Sequence, residues 1–265
     1  MFQPYLDRWQ LVPDGSPIIT HSSNLLPVLW RDEPAILKIA HDASEMAGGA
    51  LMKWWDGDGA ATVFACSDEA VLLERALGTR SLLTMAMNGE DDEASRIICA
   101  TVAKLHAPRS KRHPPLIELH EWFRALPPAA QTHDGILSDC DRIAAALLSD
   151  PRDRTVLHGD IHHSNILDFG AHGWRAIDPK ALLGERGYDY ANIFANHDLA
   201  TLADKSRLRR QLGIVSAAAD LDPRRLLQWI AAYSGLSAAW FLGDGATLSA
   251  EAPLAVARIA VAELS

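Results

Sequence analysis

Apolar positions divide the chain into a short-period first part and a helix-period remainder. Pro17–Thr20, Leu25–Trp30 and Ala35–Ile39 are short apolar or alternating runs, punctuated by Ser22-Ser-Asn24 and Arg31-Asp-Glu-Pro34. This predicts strands joined by turns. His41-Asp42 opens a helix in which Asp42 is the expected N-cap and Glu45 stands three residues on. The helix carries Met46, Leu51, Met52, Trp54 and Trp55 and ends at Gly57-Asp-Gly59. Thr62–Cys66 and Val71–Leu73 read as a hairpin. Beyond Glu74–Gly78 the period changes. Helices are predicted over 91–106, 116–125, 134–148, 188–196, 203–218, 223–242 and 249–263. Short strands are predicted at 155–158, 165–169 and 173–177. The expected architecture is α+β in two lobes, with a small antiparallel sheet and one helix in residues 1–77 and a larger helical lobe in 78–265.

Composition narrows the function. A chain of 265 residues, 48% hydrophobic and 22% charged, can bury a sizeable core. The formal charge of −9 argues against tracking nucleic-acid phosphates and suits a cationic small molecule. Cys66, Cys99 and Cys140 are odd in number and widely spaced, so neither a disulfide framework nor a zinc site is expected. The N-terminus has no basic segment followed by an apolar run, and no charge-free stretch approaches the ~20 residues that span a bilayer. A cytoplasmic monomer with no membrane partner is expected.

The chemistry concentrates in His158-Gly-Asp-Ile-His-His-Ser-Asn165 and Ile177-Asp-Pro179. Phosphoryl transfer from a nucleotide needs a carboxylate to orient the acceptor hydroxyl, and oxygen ligands to hold Mg²⁺ on the phosphates. Asp160 is the expected base, and Asn165 with Asp178 the expected metal ligands. His158 is expected to support the loop through hydrogen bonds. His162, His163 and His172 have no accompanying cysteine and are not read as a metal site. Protein kinases use a related string, with Arg at the position of Gly159 and Asp-Phe-Gly at that of Asp178-Pro179.

The string Leu157–Asn165, with Ile177-Asp-Pro179 and Gly184-Glu185, resembles the aminoglycoside phosphotransferase branch of the kinase-like fold. It is most similar to streptomycin 6-phosphotransferases and the aminoglycoside/hydroxyurea resistance kinases. The similarity runs along most of the chain and is strongest from 155 to 196. It implies ATP (or GTP) and Mg²⁺ as cofactors, and streptomycin, at its 6-hydroxyl, as acceptor. Hydroxyurea, another small metabolite and a silent nucleotide-binding pseudokinase are the alternatives. Ala35-Ile-Leu-Lys38 parallels the kinase lysine strand, so Lys38 is expected on the α/β phosphates, with Glu45 as its partner. His21, Ser22, Ser23 and Asn24 occupy the phosphate-covering loop, without the usual glycines, and Ser22, Ser23 and Asn24 are the expected donors to phosphate oxygens. The Glu74 carbonyl and Ala76 amide are expected to read the base, for which their side chains need not matter. A guanidinium-bearing acceptor calls for acids and aromatic faces in the helical lobe. Glu185, Asp198, Trp240 and Asp244 are the candidates, and Asp189 is expected to brace the loop from beneath.

Overall fold

A computed structural model of the chain describes every residue except His21, Asp42, Asp134 and residues 196–202, and the side chains of Ala43 and Ser44. The expected cap Asp42, the loop residue His21 and the acceptor candidate Asp198 thus lie outside the described residues. In chain order the first elements are α1 (Gln3–Trp9), β1 (Val12–Pro13), β2 (Ile18–Ile19), β3 (Ser23–Trp30), β4 (Glu33–Ala40), α2 (Ala43–Trp55), β5 (Val63–Cys66) and β6 (Ala70–Glu74). Their strands form one antiparallel sheet in the order β1-β3-β4-β6-β5, with β2 also on β3.

Strand alternation decides where Lys38 points. Ala35, Leu37 and Ile39 share one face of β4 with Ala70 and Leu72 opposite, and this face buries against Phe2, Tyr5, Leu6 and Trp9 near the N-terminus. Lys38 must then face the other side, toward α2. That helix lies close to its neighbours through two glycines. A Cβ on Gly49 would fall 2.7 Å from Val71, and one on Gly48 would overlap the Pro179 carbonyl. Either added methyl would push α2 off the sheet or off the segment after Asp178.

The remainder comprises α3 (Leu82–Met85), α4 (Asp91–Leu105), β7 (Ile117–Glu118), α5 (Leu119–Trp122), α6 (Leu126–His133), α7 (Ile136–Ser149), β8 (Arg154–Leu157), β9 (Ile166–Asp168), β10 (Trp174–Ala176), β11 (Leu182–Glu185), α8 (Gly187–Ala191), α9 (Lys205–Ala219), α10 (Pro223–Gly243) and α11 (Thr247–Leu264). Helix α10 is buried on every side from Leu226 to Ala239, so it forms the axis of the helical part. Asp222 caps it by accepting from the Arg225 amide, with Pro223 in the first turn. Cys99 and Cys140 are buried free thiols, each pushed up to about 12 by burial. Among the described residues no helix is long and apolar enough to cross a membrane.

Three predicted elements differ. The helix expected over 116–125 is instead β7 followed by α5 and a 3₁₀ turn, because β7 pairs in parallel with β11. That three-stranded sheet, β7-β11-β8, was not legible in its short segments. Ser23 and Asn24, expected in a turn, begin β3 instead, paired with Ala40 and Ile39. The helix expected from 188 starts as α8 and tightens to a 3₁₀ turn at Asn192–Phe194.

Candidate active site

The segment from His158 to Asn165 leaves β8 at the point where that strand is held by β11, Leu157 pairing with Leu182. Gly159 adopts φ +87°, and a Cβ there would come within 2.8 Å of Leu182. Both constraints demand glycine, which is why this chain has no arginine at that position. The His158 and Gly159 amides donate to the two oxygens of Asp189, at 2.9 and 2.7 Å. Asp189 is wholly buried and also meets His106 Nε2 at 2.8 Å. It braces the loop from beneath, as a buried carboxylate must be hydrogen-bonded to be tolerated there.

His158 is buried and its tautomer is fixed by its partners. Nε2 donates to the Ile177 carbonyl at 2.8 Å, and Nδ1 accepts from the Asp160 amide at 3.2 Å. Burial lowers its pKa below the ordinary 6.5, against the opposing pull of Asp189 and Asp160. The unfolded chain therefore takes up a proton that folded His158 refuses. This part of the stability is complete above the unfolded value and is lost as pH falls below it. His158→Gln should show a shallower loss of stability than the wild type between about pH 7 and about pH 5. Urea unfolding at both pH values checks this, and parallel losses would contradict it.

Asp160 stands with its side chain 31% exposed and both oxygens oriented. Oδ1 accepts from Asn192 Nδ2 at 2.9 Å, and Oδ2 from Asn165 Nδ2 at 3.2 Å. Asn165 also donates to the Asp160 carbonyl at 2.9 Å. With its amide nitrogen so used, Asn165 has its side-chain oxygen to offer a cation. Hairpin β9–β10 then returns the chain to the same place, the Ile177 amide bonding the Asn165 carbonyl at 2.9 Å. Asp178 follows with φ +60°, a left-handed position uncommon for a residue other than glycine.

Lys38 meets Asp178 Oδ1 at 2.8 Å and Glu45 Oε2 at 2.5 Å. Lys180, not singled out from sequence, meets the second oxygen of Glu45 at 2.9 Å, with Asp160 and Asp178 close enough to act on its charge. One carboxylate on α2 therefore aims two ammonium groups. Among the described residues no group of three or more His, Cys, Asp or Glu closes on a common centre. An amide oxygen and one carboxylate fit Mg²⁺, which keeps waters and takes phosphate oxygens rather than a full protein cage.

Other expected residues have other surroundings. Ser23 bonds Thr20, and Asn24 Nδ2 lies 2.6 Å from His41 Nε2. Both side chains are buried at the start of β3. The side chain of Glu74 bridges the sheet to the β9–β10 hairpin. It accepts from Thr62 Oγ1 at 2.8 Å and meets Arg175 and His172 at 2.5 Å. Ala76 packs with Leu73, Leu167 and Ile177 in an apolar cluster on the Lys38 side of the sheet. Glu185 is corrected as an acceptor contact. Its carboxylate is 4% exposed and is taken up by Arg225, Trp229 Nε1 and the Arg152 amide, at the end of β11 away from the loop. Trp240 is half-buried and stands edge-on to Trp122 at 5.4 Å. Trp122 in turn donates to the Tyr188 hydroxyl at 2.8 Å. Burial, and then the charge of Asp160, raise the pKa of Tyr233, and the same charge acts on Tyr188. Asp244 is exposed at the C-terminal end of α10, one turn beyond Trp240.

Asn192, Lys180, Trp122 and Tyr233 escaped the sequence reading. Asn192 had a signal: it lies three residues after Asp189, on the same face of a helical turn.

Comparison with known proteins places this geometry in a class. A solved structure of a thermostable mutant of aminoglycoside phosphotransferase APH(4)-Ia, in ternary complex with ADP and hygromycin B, superposes with a TM-score of 0.70 at 15% identity. The match covers 99% of this chain and 98% of that one, so the fold is kinase-like. The model of the aminoglycoside/hydroxyurea antibiotic resistance kinases matches residues 8–245, and the chain belongs to that family. It is a phosphotransferase with a hydroxyl acceptor. A streptomycin 3''-kinase of Klebsiella pneumoniae is 51% identical over 245 residues, covering 91% of this chain and 92% of that one. A streptomycin 6-kinase of Streptomyces griseus is 29% identical, over 96% of this chain and 86% of that one.

Proposed function

We propose that this chain transfers the γ-phosphoryl group of ATP to a hydroxyl of streptomycin, with Mg²⁺, and so inactivates the antibiotic. The observation that carries the reading is the convergence of Asp160, Asn165, Asp178 and Lys38 from three separate segments. The sequence resemblance pointed to the 6-hydroxyl. The greater identity to a 3''-kinase than to a 6-kinase moves the proposal to the 3''-hydroxyl.

Residues 1–77 act as the nucleotide-binding lobe and 78–265 as the acceptor lobe. The base lies against Ala76, Leu167 and Ile177, read by the Glu74 carbonyl and Ala76 amide. Lys38 meets the α and β phosphates, held forward by Glu45. The segment around Ser22 covers the phosphates through backbone amides, since Ser23 and Asn24 are engaged internally. Asn165 and Asp178 hold Mg²⁺, which when bound neutralises charge on the phosphate oxygens. Asp160 accepts the proton of the acceptor hydroxyl late in a loose transition state, with Asn165 and Asn192 fixing its two oxygens. Trp122 and Trp240, both half-buried, are the aromatic rings assigned to a guanidinium group, and the charge of −9 favours its approach.

Mass spectrometry of product from ATP, Mg²⁺ and streptomycin, followed by NMR assignment of the phosphate ester, tests the reading. Phosphate on the 3''-oxygen is expected. An ester at the 6-oxygen would return the proposal to the second hydroxyl. Transfer only to hydroxyurea would replace the acceptor.

A further inference from the structure

We propose that Lys180 is a second cation of the transfer site, placing its ammonium on the γ-phosphoryl group as it moves. This rests on the phosphotransferase reading above. The residues from His158 to Asn165 include no lysine or arginine. Lys38 is committed to Glu45 and Asp178, on the sheet side of the site. An anionic phosphoryl group passing to a hydroxyl on Asp160 would therefore meet the Asp160 carboxylate with no permanent positive charge supplied by the loop itself.

Lys180 fills that gap. Its backbone amide bonds the His158 carbonyl at 2.7 Å, which fixes its start beside the loop. Its Cβ lies 3.1 Å from where a Gly159 side chain would stand, so its stem rises over the residue adjacent to Asp160. The side chain is 25% exposed, with its ammonium on Glu45 Oε1 at 2.9 Å. Glu45 thus divides its oxygens between Lys38 and Lys180. Through Glu45 and Lys38, Lys180 is tied to Asp178, and through its backbone to His158, two residues before Asp160. A flexible lysine stem allows the head to leave Glu45 for a phosphoryl oxygen without moving the backbone.

In the step itself the acceptor oxygen forms a bond to Pγ, and the bond from Pγ to the bridging oxygen breaks. The electron pair leaves with ADP, and the hydroxyl proton goes to Asp160. Lys180 stays protonated throughout. It contributes charge to the equatorial oxygens, where a preorganised cation is most effective.

The test uses Lys180→Met, Lys180→Gln and Lys180→Arg in the full chain. Calorimetry compares Mg·ADP with Mg·AMP-PNP, and kinetics compare transfer with acceptor-free ATP hydrolysis. The Met and Gln variants should bind ADP within about twofold of wild type and AMP-PNP about tenfold more weakly, since only the triphosphate carries the group Lys180 meets. Their kcat should fall about 10²-fold for both reactions, with partial recovery in the Arg variant. The Met change should cost a similar factor in a Glu45→Gln background. Equal losses for ADP and AMP-PNP, an unchanged kcat, or a loss that vanishes in the Glu45→Gln background would overturn the proposal. The last result would make Lys180 a mere support for Glu45. A wild-type chain that binds ADP but neither transfers nor hydrolyses would overturn the phosphotransferase reading and this inference together. An active wild type with unaffected Lys180 variants would overturn this inference alone.

Discussion

Asp160→Ala should reduce phosphoryl transfer by about 10²–10⁴-fold, the range a positioned general base contributes, with affinity for a non-hydrolysable ATP analogue nearly unchanged. The asymmetry follows from the assigned roles. Asp160 is held by Asn165 and Asn192 and is assigned to the acceptor in the proposed reaction, whereas Lys38 and Asp178, paired with each other, are assigned to the nucleotide and its metal. Alanine leaves the Asn192 amide without its acceptor and the Asn165 amide with the backbone carbonyl alone, a local cost of about 1–3 kcal/mol per unsatisfied buried group. Asp160→Asn retains the shape and therefore separates lost chemistry from lost stability. Both variants should be nearly inactive while melting within a few degrees of one another. Turnover within about tenfold of wild type in either would remove Asp160 from the role of base.

Asp178→Ala should impair metal use more than any other single change. It removes the one carboxylate of the proposed metal pair and leaves Lys38 with Glu45 alone. Loss of metal-assisted charge neutralisation predicts a fall in turnover of about 10²–10³-fold, with a higher Mg²⁺ concentration needed at fixed ATP. Asn165→Ala should be milder, because an amide supplies a dipole where Asp178 supplies charge. Mg²⁺ titration of both variants checks the order. An unchanged metal requirement in Asp178→Ala would contradict the assignment.

These expectations rest on features of unequal legibility in the sequence. Asp160, Asn165 and Asp178 were readable because a loop and a short hairpin join them, so chain spacing nearly equals spatial placement. Lys38 was readable for a different reason: Ala35-Ile-Leu-Lys38 parallels the kinase lysine strand. The structure adds that Leu37 and Ile39 turn to the core, so the lysine between them faces the other way. Lys180 carries no such local mark, since it matters through a partner brought in from α2; Asn192 carries only its spacing from Asp189. Glu185 shows the reverse error. It looked like an exposed acid near the motif, but Arg225 and Trp229, on a helix 40 and 44 positions away, take up its charge. Asn24 was likewise read as a free turn residue, whereas the strand pairing that seats it on β3 also brings His41 beside it. Trp122 and Trp240 meet only through the packing of α5 against α10, which no periodicity announces.

The central claim is phosphoryl transfer to streptomycin by way of Asp160. It is tested most directly by incubating the purified chain and Asp160→Asn with ATP, Mg²⁺ and streptomycin, and following ADP and phosphorylated antibiotic together. The account predicts equimolar ADP and streptomycin phosphate from the wild type, with neither formed at a comparable rate by the variant. ADP formed without phosphorylated streptomycin, or equal product from both chains, would contradict it.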